Sequence, residues 1–275
     1  MSPAELERER RRGRVAAAAA VVGAVALYAA VVWSQSVYPD APDNKADKLR
    51  YFDRHAGDII GAAAVQSLAM LMLAVVALHL YRAARARRPD EPAIVAVMGV
   101  YGPVVLALVT IVAAVAQVKI AGDFADRSAQ TIAAAENALE DPALVVPRYV
   151  GISAALALAF WLVKGSLDAM RIGLLTRFMG ILGIALGPAF VLQFGSLVLP
   201  VWLVALAALF WGYWPRGMPP AWESGEARPW PGADERPQSA PTPPEPAAAG
   251  RNGEVETVGQ GVRRAGRRRG GRKAG

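Results

Sequence analysis

Lys164 to Gly195 reads KGSLDAMRIGLLTRFMGILGIALGPAFVLQFG. A short connector carrying Lys164, Asp168, Arg171 and Arg177 runs into an apolar segment spaced by Gly180, Gly183 and Gly187 and interrupted by Pro188. From Met179 to Gly212 no side chain is charged. A single helix of that length would run about 51 Å, whereas a bilayer's hydrocarbon core is about 30 Å thick. The stretch therefore predicts two spans, 174–194 and 197–214, that turn near Gly195 and Ser196. Pro188 and Pro200 are tolerable inside them where neighbouring helices satisfy the carbonyls they release.

Four further apolar blocks precede these two, at 15–33, 59–81, 94–118 and 148–163. The chain has 275 residues, of which 54% are hydrophobic and 19% charged, with mean hydropathy +0.29. Apolar residues gathered into blocks long enough to cross a bilayer exclude an ordinary soluble domain. The expectation is an all-α, polytopic membrane helical bundle of six spans over 15–214. A basic head occupies 1–14, a Trp- and Pro-containing segment 215–231, and a disordered basic tail 232–275. The first block is longer than the 7–15 apolar residues of a secretory signal, so it reads as a retained span. Cysteine is absent, which removes disulfides, thiolate nucleophiles and cysteine metal sites.

The formal charge of +7 does not point to a specific nucleic-acid partner, because the basic residues sit beside the spans and at the termini. Arg8, Arg10, Arg11, Arg12 and Arg14 precede the first span, Arg82, Arg85, Arg87 and Arg88 follow the second, and Lys164, Arg171 and Arg177 separate the fourth and fifth. The alternate connectors hold seven basic residues: Lys45, Lys48, Arg50, Arg54, Lys119, Arg127 and Arg148. This bias predicts a bacterial plasma-membrane protein with both termini cytoplasmic. Residues 34–58 read as a solvated outer loop. Phe124, Ser128, Ile132, Ala135 and Leu139 suggest a short outer amphipathic helix, with Asp123 or Asp126 as cap. Anionic lipid headgroups are natural partners for the basic termini.

Candidate polar and packing residues are few. Lys164, Asp168 and Arg171 share a helical face, and Asp168 is placed to pair with either neighbour while Leu167, Met170, Leu174 and Leu175 face lipid. An interfacial helix is the structural account, and a gate or lipid-phosphate clamp using Arg171 and Arg177 the functional one. Gly180, Gly183 and Gly187 predict close helix packing. Gln66 in the second span is placed to bond Tyr101 or Thr110 in the third, as an interhelical pin. His79 reads as an interfacial histidine. Tryptophans at 222 and 230, beside prolines, suggest that 215–231 folds back, with Glu223 or Glu226 meeting Arg171 or Arg177. The alternative is a proline-rich ligand for a partner protein.

Ala169, Met170, Arg171, Gly173, Leu174, Leu175, Thr176, Arg177, Phe178, Met179 and Gly180, with Ala221, Trp222, Gly225, Glu226, Pro229 and Trp230, resemble multi-pass membrane proteins of actinobacteria. The resemblance spans residues 15–231 and implies a bacterial inner-membrane location, but it carries no established activity.

No Asp, Glu, Lys or Arg falls at the centre of a proposed span, which weighs against a proton-coupled pump. No phosphate-binding loop, paired-histidine zinc motif or serine elbow occurs, so no catalytic, cofactor or metal residue is assigned. Two function classes remain. One is a structural or assembly component with a membrane-protein partner or a second copy of the chain; the other is a transporter of a small solute or lipid.

Overall fold

The computed structural model describes residues 3–38, 41–127, 130–192, 195–215 and 217–229. The expected disordered tail and Trp230 lie outside these residues, as do Ser128 and Phe194. Within them the chain forms helices and no strand: α1 (Pro3–Val37), α2 (Lys45–Arg54), α3 (Ala56–Arg87), α4 (Ala93–Ala125), α5 (Ile132–Leu139), α6 (Pro142–Arg171), α7 (Arg177–Val191), α8 (Gly195–Trp211) and α9 (Pro220–Ser224).

Four of these helices, α1, α3, α4 and α6, are long and apolar enough to cross a membrane. In such a solvent a helix is favoured because it satisfies its backbone donors and acceptors internally. The last two apolar helices are shorter, with 15 residues in α7 and 17 in α8. At about 1.5 Å per residue they reach only about 22 and 25 Å. The charge-free run is therefore two helices, each shorter than the spans expected at 174–194 and 197–214.

Helices α1, α3, α4, α6, α7 and α8 pack in that order as neighbours, and α8 returns to α1. The interior is filled by large side chains. Trp161 of α6 and Trp202 of α8 are 1% and 0% exposed and meet edge to face at 6.2 Å. The Trp202 indole N–H donates to the Met179 carbonyl at 3.1 Å, tying α8 to α7 and satisfying a donor that would be costly to bury alone. The outer surface remains apolar: Val15, Leu108, Phe178, Ile181 and Val201 are all exposed. That inversion fits a lipid-facing wall.

Several boundaries differ from the expected ones. Residues 34–58 are not wholly loop. Ala46, Leu49 and Phe52 recur at helical spacing on α2 and are buried, and the Asn44 side chain caps its start by accepting from the Ala46 and Asp47 amides. Phe124 belongs to the end of α4, and Thr131 rather than Asp123 or Asp126 caps α5. Nothing breaks the helix after Val163, so α6 continues through Lys164 and Asp168 to Arg171. Leu174 and Leu175 then lie in the turn into α7 and are fully buried rather than lipid-facing.

The glycines of α7 explain how closely it meets α6. A Cβ at Gly183 would stand 2.1 Å from the Ser166 hydroxyl, and one at Gly187 would stand 2.6 Å from a Val163 methyl. At Gly180 it would press on Met170 at 2.9 Å. Without a hydrophobic drive between helices in lipid, such close van der Waals approach is the main source of association. Substituting Gly183→Val should lower thermal stability in detergent by about 1–3 kcal/mol through overpacking. Gly57→Ala, where a Cβ meets nothing within 4 Å, should be neutral or slightly stabilising in the same unfolding assay.

Candidate functional site at the basic end

Arginines collect where α1 begins and where α3 and α6 end, and most of the buried polar side chains among the described residues lie at this same end. Arg87 sits in the last turn of α3 with a side chain 0% exposed. Its guanidinium makes a fork on Glu9 of α1, with N–O distances of 2.7 and 3.1 Å, and also donates to the carbonyls of Ala83 and Ala221 at 2.9 Å. A planar donor array suits this task where an ammonium would not. The guanidinium carbon also lies 5.2 Å from the centre of the Trp222 ring, adding a cation–π contact.

Trp222 holds α9 against this end. Its indole N–H donates to the Leu174 carbonyl at 2.8 Å. Its ring lies parallel to His79, with centroids 6.0 Å apart, and edge-on to Phe210 at 5.8 Å. A second tie follows immediately: the Arg228 amide donates to the Ile172 carbonyl at 3.1 Å. Gly173 permits it, because its φ of +79° is a left-handed conformation and a Cβ there would lie 1.9 Å from the Arg228 carbonyl oxygen. The segment after α8 thus crosses the α6–α7 turn as a strap. Its anchors are an indole and backbone groups; among the described residues Glu223 and Glu226 form no ion pair with Arg171 or Arg177. Those four side chains face outward from a junction made beneath them.

A second cluster lies between α3, α4 and α6. Lys164 donates to Asp168 Oδ2 in a very short contact one helical turn away. Asp168 is 2% exposed and Glu91, in the connector between α3 and α4, is 4% exposed. Both Glu91 oxygens and Asp168 Oδ1 are buried without a hydrogen-bond donor among the described residues. Asp168 is therefore an interior carboxyl group that pairs with Lys164 through one of its two oxygens.

Two cavities flank this framework. One of about 520 Å³ opens between α1 and α3 and is lined by Arg8, Arg12 and Arg82 together with Glu5, Glu9 and His79. The other, about 430 Å³, lies towards the opposite end and is lined by Leu27, Gln66, Met70, Leu106, Arg148 and Phe190 among others. Gln66 does not pin α3 to α4. That bond is made by its neighbour, the Ser67 hydroxyl, which donates to the Ala107 carbonyl at 2.9 Å. Tyr101 is 42% exposed on the outer wall, and Thr110 is part-buried; neither is joined to Gln66 by a hydrogen bond.

Sequence reasoning missed Glu9, Arg87 and Glu91 as interior groups. Arg87 stands among three other arginines, and Glu91 stands in a Pro-Asp-Glu-Pro turn, so neither position carries a periodic signal that separates it from its exposed neighbours. The described residues contain no cluster of three metal-ligating side chains. No protein family matches the chain, and no characterised protein or solved structure is significantly similar to it.

Removing Arg87 should be the most damaging change here. Arg87→Met leaves the buried Glu9 carboxylate without its guanidinium and takes one of two donors from the Ala221 carbonyl, and is expected to cost about 3–5 kcal/mol in detergent unfolding. Trp222→Phe keeps an aromatic ring but loses the bond to Leu174 and part of the indole's contact area, at about 0.5–1.5 kcal/mol for the bond alone. Limited proteolysis should then cut the 215–229 strap faster in Trp222→Phe than in the wild type.

Proposed function

We propose that this protein is a structural or assembly component of a bacterial plasma membrane, built on six membrane-inserted helices with both termini on the cytoplasmic side. In this reading α1, α3, α4 and α6 cross fully, and the shorter α7 and α8 complete the bundle as a pair whose ends draw the bilayer inward. The observation that carries it is the strap. Trp222, held by Leu174 and backed by Arg87, fixes the cytoplasmic end as one preformed surface, while Trp161 and Trp202 fill the interior behind it. A preformed charged face bearing Arg171, Arg177, Glu223 and Glu226, at the same end as the arginines of α1 and α3, suits docking of a partner protein beside anionic headgroups, because rigid surfaces lose little entropy on binding. The final basic tail, 232–275, extends the same electrostatic attraction.

A second reading, transport of a small amphiphilic solute or lipid, is favoured by one specific observation. The 430 Å³ cavity combines apolar walls with Gln66 inside and Arg148 among its lining residues, the combination an acyl chain with an anionic head would use.

Purification from native membranes with lipids retained, followed by mass spectrometry, separates the two. The assembly reading expects a stoichiometric protein partner that is lost when Arg171 and Arg177 are both changed to Glu, with the variant's own abundance unchanged. A flux of lipid or solute in reconstituted vesicles that is abolished by Gln66→Leu, with no partner retained, overturns it. Orientation is checked independently because the chain has no cysteine. A Cys introduced at Asp47 is expected to react with a membrane-impermeant maleimide added outside cells, and one introduced at Asp90 is expected to react only after permeabilisation.

A further inference from the structure

Glu91 and Asp168 approach each other from different parts of the chain and bury three oxygens that no donor among the described residues reaches. They line a common cavity of only about 10 Å³, closed by Leu80, Tyr81, Val95 and Trp161. A space of that size is close to a single water's minimum and leaves no room for a hydrated ion.

The charge balance of this pocket does not close. Two ionised carboxylates would face one ammonium, that of Lys164 on α6. At the end of α3 the Arg88 guanidinium is turned to Asp90, which it bonds at 3.2 Å. Tyr81, also on α3, brings no charge, and its hydroxyl accepts from Arg85. One negative charge is therefore left buried beside another of the same sign. Such a charge costs several kcal/mol unless it is neutralised. A single proton does so with no added volume, and it also converts a repulsive carboxylate contact into an O–H···O⁻ hydrogen bond, among the strongest available.

We propose that Glu91 and Asp168 form a proton-binding site that holds one proton between them and latches the α3–α4 connector to the last turns of α6. Burial first, then the hydrogen bond and charge of Asp168, raise the Glu91 carboxyl above its ordinary value of 4.5, against the smaller lowering effects of Lys164 and Arg88. The sign follows from linkage. An acid whose pKa is raised on folding binds its proton more tightly in the native state, so its contribution to stability is fully present below the unfolded value of 4.5 and is lost as pH rises through the raised native value. The site is distinct from the basic surface proposed for docking: it lies inside the bundle and its ligand is a proton.

Glu91→Gln replaces the protonated acid with a neutral amide that donates to Asp168, and so mimics the proton-loaded latch. Thermal unfolding of the full chain in detergent, scanned upward from below pH 4.5, should show the wild type losing stability relative to Glu91→Gln, with a melting-temperature gap that opens by about 2–4 °C or more. Infrared difference spectra of the wild type should show a protonated-carboxyl band that persists above the pH at which ordinary carboxyls have ionised, disappears at the high-pH end, and has no counterpart in Glu91→Gln over that upper range. Parallel pH profiles in wild type and variant would overturn the proposal, as would persistence of the band in Glu91→Gln. A gap that depends on sodium or potassium, when choline replaces them at constant ionic strength, would also overturn it by assigning the site to a metal cation. The infrared measurement on the wild type stands even if the variant folds poorly.

Discussion

The guanidinium of Arg87 holds the basic end together. It is removed from solvent, yet the groups it bonds and stacks against favour a cation: the Glu9 carboxylate, two backbone carbonyls and the Trp222 ring. Because these partners come from α1, α3 and α9, one side chain fixes the relation of three elements distant in sequence. A charge in such surroundings is affordable only when every partner is present. The strap, the start of α1 and the end of α3 are consequently a single unit rather than three separate contacts.

That unit explains why the turn between α6 and α7 is so constrained. Trp222 takes the Leu174 carbonyl and Arg228 takes that of Ile172, so two carbonyls left free at the end of α6 acquire donors from a segment about fifty residues later. Leu174 and Leu175 can be buried there because the strap covers them. Gly173 makes the geometry possible on both counts, by its positive φ and by leaving room for the Arg228 carbonyl. The glycines of α7 then bring that helix onto α6, where Ser166 and Val163 occupy the space that side chains would have filled. Docking surface and proton site, as proposed, both draw on the last turns of α6.

The helical fold and its lipid-facing character were legible from apolar block length, since a charge-free stretch of bilayer thickness has few other stable forms. The α7 glycines were legible too, because their spacing places them on one face irrespective of partner. Polar partnerships were not. Gln66 and Ser67 are adjacent in sequence, and which of them points at α4 depends on the rotation of α3 about its axis, a quantity set by packing with four other helices. The same holds for the arginines from 82 to 88: all four satisfy a charge-bias rule, and only tertiary contacts select Arg87 for burial.

By itself, then, the sequence determined a membrane-embedded helical chain, the approximate place of its long helices and the small-residue face of α7. These properties follow from local composition and from periodicities of a few residues. The tertiary structure decided that the charge-free run becomes two short helices, that the last strap is held by an indole and not by its glutamates, and that Asp168 meets Glu91 in the interior. Those outcomes depend on which oxygens and donors become neighbours after the helices close into a bundle, and solvation of a buried charge is fixed by those neighbours rather than by its place in the chain. The stretch from Lys164 to Arg177 is therefore the point where a buried carboxyl pair, a glycine-lined helix contact and the strap converge.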